Sequence, residues 1–147
     1  PMTIIAKEKK VMDVHWDANM EIGNEDIDND HKYLISLIRT IDAAINCHIH
    51  ANVLEKFMEL MLVYTSVHFV REQHYQKKIG FEESDSHKLL HRDFIERLNS
   101  MKGFLAQVGT GQDEYKRILA EFNRLVKDWW REHILEEDFK MKGACRD

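Results

Sequence analysis

Proline occurs once in the 147 residues, at position 1, so nothing in the body of the chain forbids long uninterrupted helices. Cysteine is nearly as scarce. Cys47 and Cys145 are far apart, which gives no disulfide framework and no CxxC zinc or redox motif, and both read as free thiols. No run of about 18 apolar residues exists to span a membrane, and the opening PMTIIAKEKKVMD lacks the apolar region and cleavage site of a secretory signal. The expectation is a cytoplasmic protein. Lys and Arg are scattered and the net charge is −5, so neither nucleic acid nor an anionic membrane is an expected partner.

What is present is enough for one domain with a single sizeable core: 44% of the residues are hydrophobic and 32% charged. The glycines punctuate the chain. Gly80 in KKIGFEESDS and the pair Gly109 and Gly111 in VGTGQD mark turns followed by helix-start residues, CHIHAN is a weaker break, and Gly143 ends the last helix. Residues 1–26 form an N-terminal arm with no clear period. Between the breaks lie four apolar stripes at helical spacing. They are Leu34, Ile35, Ile38, Ile41 and Ile45; Leu54, Phe57, Met58, Met61, Tyr64 and Thr65; Leu90, Phe94, Leu98, Met101 and Leu105; and Ile118, Phe122, Leu125, Val126 and Trp129. Four long helices joined by short loops predict an all-α, up-down-up-down antiparallel four-helix bundle over about 27–142, within one domain spanning 1–147.

Polar residues then fall on the buried faces. At about 100° per residue, His68 and Glu72 lie within about 20° of the second stripe's centre, whereas His74 points about 140° away toward solvent. His87 and His91 continue the third stripe, His31 opens the first helix, and His133 continues the fourth. Antiparallel neighbours alternate in direction, so the start of helices one and three and the end of helices two and four share one end of the bundle. Five imidazoles and at least one carboxylate therefore meet in a single layer. A lone inward histidine is ordinarily a hydrogen-bonded core residue, but six such groups in one layer reverse that reading. Imidazole and carboxylate together suit Fe, Mn, Zn or Cu, and so many donors exceed what one ordinary centre takes, so two metals are expected. Neither HExxH nor the carboxylate-rich ferritin-like ligand set is present.

These residues resemble the hemerythrin family, specifically its bacterial members. The family pattern of one His early in helix one, then HxxxE, HxxxH and HxxxxD, stands here as IDNDH, HFVRE, HKLLH and HILEED. The resemblance implies a di-iron centre in which His87, His91 and His133 hold one iron and His31 and His68 the other. Glu72 and Asp138 would bridge them together with an oxo or hydroxo bridge. Spacing alone favours Glu137 over Asp138, because the fifth residue beyond His133 turns about 140° off the face. Taking Asp138 from the family requires a locally widened turn between 133 and 138.

The resemblance further implies a non-enzymatic protein that binds O2 reversibly at the iron with an open position, for storage, transport or buffering. NO, azide and other small anions are alternative ligands. The rival readings are a sensor or scavenger of O2, NO or redox state, and a di-iron oxidase or peroxidase working with an unidentified reductase or oxygen-using enzyme. The absence of an attached signalling domain favours the carrier. Leu34, Phe69, Trp129, Trp130 and Ile134 are the candidate walls of the ligand pocket, partly from family position. Two departures stand out. WWREHI replaces the commoner WLxxHI, placing the Trp130 indole where a leucine would border the ligand, and Gln73 replaces a frequent Glu. His15, His48 and His50 read as solvated, and NEDIDND before His31 reads as a helix start, with Asp30 placed to orient His31.

Overall fold

The computed structural model describes residues 14–47, 49–107 and 113–144. Helix α1 runs Glu25–Asn46, α2 Ala51–Ile79, α3 Asp85–Leu105 and α4 Asp113–Trp129. Consecutive helices pack side by side and α4 closes against α1, which makes the expected antiparallel four-helix bundle. A hydrogen-bonded cluster secures the closure, with Lys127 and Asn123 of α4 donating to Asp42 of α1 at 2.8 and 3.2 Å.

Helix ends follow local chemistry. Asn24 caps α1 by accepting from the Ile27 amide, and Glu25, Asp26 and Asp28 sit in its positive first turn. Asp28 also reaches back to accept from the amides of Ile22 and Gly23, at 2.9 and 3.3 Å, so the acid cluster fastens the arm as well as starting the helix. Helix α2 stops at Gly80, whose φ of 69° is left-handed, and the Phe81 amide closes the turn onto the Gln76 carbonyl at 2.9 Å. Ser84 accepts from the His87 amide to start α3. Gly109, Gly111 and His48 lie outside the described residues.

The core contains the inward residues of all four stripes, with Leu34, Ile38, Leu54, Met58, Leu98 and Phe122 fully buried. Residues 14–24 of the arm, those described, are more ordered than their lack of period implies. They carry a short 3-10 turn, Ala18–Met20, and bury Val14 in the main core and Ile22 in a small second cluster with Ile27 and Met141.

Beyond α4 the chain stays helical but changes pitch. Trp130–Glu137 is a π-helix, in which the Asp138 amide bonds to the His133 carbonyl five residues back. Asp138–Ala144 follows as a 3-10 helix, one residue past the stop expected at Gly143. This is the widened turn that the HxxxxD spacing requires.

Candidate metal centre

The six side chains that the spacing singled out and Asp138, which the resemblance implied, converge at one end of the bundle, and none is more than 7% exposed. Helix α1 supplies His31, α2 His68 and Glu72, α3 His87 and His91, and the π segment His133. Asp138 follows at its end. The π turn is what turns Asp138 inward. The side chain of Glu137 lies outside the described ones.

The donors sort into two groups that share a carboxylate. Glu72, His87, His91, His133 and Asp138 offer atoms within 4.8 Å of one another, and so do His31, His68 and Asp138. Each carboxylate straddles the groups. Asp138 Oδ1 faces His133 Nε2 at 2.9 Å and His87 Nε2 at 3.2 Å, while its Oδ2 faces His31 Nε2 at 2.9 Å. Glu72 Oε1 faces His87 Nε2 at 3.2 Å, and Oε2 faces His68 Nε2 at 3.2 Å.

Hydrogen bonding alone does not satisfy this cluster. His133 Nε2 faces His91 Nε2 at 2.8 Å, His87 Nε2 at 3.4 Å and Asp138 Oδ1 at 2.9 Å, more neighbours than a single ring N–H can serve. Buried His68 Nε2, Glu72 Oε2 and Asp138 Oδ1 have no properly oriented hydrogen-bond partner. Orphaned donors and acceptors of this kind are costly unless something else binds them, and five imidazoles with two carboxylates suit first-row transition metals such as iron.

Charge tells the same story. Burial pulls His68, His87 and His133 down, but the facing carboxylates outweigh it: His68 is held well above the usual range, His133 is raised, and His87 reaches about 10. Burial and Asp138 push Glu72 up, yet the histidines bring it to about 2. Burial likewise opposes Asp138, which His133, His31 and His68 hold well below the ordinary carboxylate range. His91 is the exception, pushed down to about 3 by burial and then by the His133 charge. In the metal-free protein, protons on three histidines thus neutralise charge that cations would otherwise balance.

The outer contacts hold two departures from the sequence reading. Asp30 orients His68, not His31: its Oδ2 lies 3.1 Å from His68 Nδ1, while Oδ1 accepts from Tyr64 at 3.0 Å and from Arg71. Although burial opposes it, the carboxyl of Asp30 is held low by His68, Tyr64 and Arg71. Glu83, just before α3, was not singled out. Its Oε1 lies 3.5 Å from His87 Nδ1 and 3.6 Å from His91 Nδ1, and burial raises its pKa. Its place four residues before His87, in the loop, carried no periodic signal. Gln76, one turn after Glu72, is buried and donates to Glu72 Oε1 at 3.4 Å.

Leu34, Phe69, Trp129, Trp130 and Ile134 are all buried in the main core. Phe69 stacks on the His91 ring at a centroid distance of 3.8 Å, and Trp129 stacks on His133 at 4.9 Å. Trp129 also packs on Phe94, so it serves the core and the site together. His74 and Gln73 are exposed, as are His15 and His50. A surface groove of about 760 Å³ between α3 and α4 has Phe94 and Trp129 in its lining but none of the seven converging residues. Among the described residues no helix is long and apolar enough to cross a membrane.

Comparison with known proteins gives one family. The model of the hemerythrin HHE cation-binding domain matches residues 22–145. Bacteriohemerythrin of Clostridium acetobutylicum is 29% identical over 126 residues, 84% of this chain and 94% of that protein. Myohemerythrin of Theromyzon tessulatum is 30% identical over 128 residues, 87% of this chain and 90% of its own. A hemerythrin-like protein of Naegleria gruberi is 27% identical over 130 residues, 88% and 92% of the two chains.

Proposed function

The chain belongs to the hemerythrin family, and from that premise we propose that it binds O2 reversibly at a pair of non-haem irons, for storage, delivery or local buffering. The observation that carries the reading is the division of labour in the two carboxylates, each turning one oxygen to each histidine set. His87, His91 and His133 would hold one iron, and His31 and His68 the other, with Glu72, Asp138 and an oxygen bridge from solvent between them. Counting donors, the three-histidine side has a full set and the two-histidine side is one short, which suits a small ligand. When bound, the irons supply the electrons that make O2 a ligand.

The protein's own part is to position and to exclude. Asp30 fixes the ring of His68 through Nδ1, and Phe69 and Trp129 brace His91 and His133 by stacking. Leu34, Trp130 and Ile134 add apolar bulk around the layer, which keeps out the water that would promote irreversible oxidation. NO, azide and other small anions are further ligands for the same position.

The test is metal content followed by visible absorption of the reduced, desalted protein cycled between O2 and inert gas. Two irons per chain and a band that comes and goes with O2 support a carrier. Immediate, irreversible oxidation with continued O2 uptake under reductant would overturn it in favour of turnover, and irreversible oxidation without uptake would favour a sensor or scavenger.

A further inference from the structure

Helix α2 is apolar on two faces. One is the core face, centred on Leu54, Met58, Met61, Thr65, His68 and Glu72. The other lies about 150° round the helix at 100° per residue. There Val53, Leu60, Val63, Val67 and Val70 are 41, 49, 64, 42 and 53% exposed. Among the described residues, these five are more than half of the nine large apolar side chains left in solvent. Scattered exposed hydrophobics need no explanation, but a row does. From Leu60 the spacing alternates three and four, with Val53 one heptad earlier, so the row occupies the a and d positions of a coiled-coil seam. On the α1 side Tyr33, 47% exposed, stacks on Tyr64 and widens the patch.

We propose that a second copy of this chain covers this face, the two α2 helices packing antiparallel about a twofold axis between Val63 and Val67. A narrow a/d row matches another helix with the same row, and an isologous contact needs only one self-complementary surface. Charge selects the direction. A parallel pair would set Lys56, itself on the seam and exposed, against its own copy. In the antiparallel pair Val63 meets Val67 and Leu60 meets Val70, Lys56 moves out to the rim opposite His74 and Val53 to the rim opposite Lys77, and Arg71 comes beside Glu59 of the other copy, joining the Lys56 and Lys102 that already flank that carboxylate. The apolar area is on the order of a few hundred Å² per chain, typical of docking patches and at the small end for a dimer, so the association is concentration-dependent. Net charge of −5 and the valine-rich, lysine-poor seam do not suit an anionic membrane.

The interface would adjoin the buried centre. Arg71, half-exposed at the edge of the row, bonds Asp30, which in turn holds His68 Nδ1. The proposal stands apart from the O2 reading, because its test reads mass alone.

Sedimentation of the full chain up to about 0.3 mM should show two-chain mass at the upper concentrations. The double variant Val63→Glu, Val67→Glu should dissociate it at least about tenfold more readily, with helicity, and the melting temperature at dilutions where both proteins are single chains, unchanged because both side chains are exposed. Single-chain mass at every concentration overturns the proposal. So does a dimer that survives the double variant, or one lost instead on Phe104→Glu, which lies on α3.

Discussion

Asp138 Oδ2 lies 2.9 Å from His31 Nε2, joining the start of the first helix to the turn after the last across 107 residues. Among the described side chains no other presents one oxygen to His31 and the second to His133. Replacing it with leucine should remove a shared ligand and reduce bound iron from two per chain to one or none, measured by elemental analysis against protein. Glu137→Gln should leave iron content unchanged. The reverse pattern would mean that the residue four positions after His133 is the ligand.

Asp30 touches none of the other converging histidines at hydrogen-bond distance among the described contacts, yet it fixes His68. Asp30→Asn keeps the shape and removes the charge, and partners of this kind are worth about 10- to 100-fold in metal affinity. Competition with a chelator should show that loss with the fold retained. Affinity equal to that of the unmodified chain would reduce Asp30 to an anchor for Arg71 and Tyr64.

The metal-free and loaded proteins should respond oppositely to alkali. His87, raised to about 10, contributes to metal-free stability in full below the ordinary histidine value of 6.5 and loses that contribution as pH rises toward 10. Raised His68 and His133 act in the same sense. Metal binding needs these rings deprotonated, so it tightens over the same range. The difference in melting temperature between the two forms should therefore widen from pH 6.5 to 9, and calorimetry in buffers of different ionisation enthalpy should detect proton release on loading near neutrality. A gap that narrows with pH would contradict the charge assignment.

Trp130 is 4% exposed and its indole nitrogen has no hydrogen-bond partner. Trp130→Leu should cost about 1 to 3 kcal/mol through the space it leaves. If the indole limits the ligand's room, the variant should bind O2 and azide faster and oxidise faster, read by stopped-flow absorption. Unchanged rates would place Trp130 in the core alone.

The ligand layer was legible because helical periodicity fixes angle and bundle topology fixes height, and six polar residues met both conditions; Asp138 did not, because the π turn that brings it inward breaks the regular period, and only the family pattern pointed to it. The direction of Asp30 was not, because a residue adjacent to His31 in sequence can turn across to the neighbouring helix, where His68, Tyr64 and Arg71 meet it. Glu83 escaped for a different reason. It sits in the loop between α2 and α3, and loops carry no period to compare with. Val14 and Ile22 were hidden likewise, as single anchors in an arm with no repeat.

The π-helix has a consequence beyond the centre. It acts as one surplus residue in the helical run that continues α4, and the 3-10 segment after it is turned away from where an unbroken α-helix would have put it. Met141 sits at 0% exposure against Ile22 and Ile27 in that shifted frame. Removing one residue between His133 and Asp138 would bring an acid to the regular four-residue spacing, but would swing Met141 off the arm's anchor. Chain length at this turn is thus held from two sides, so that substitution is open to it and deletion is not.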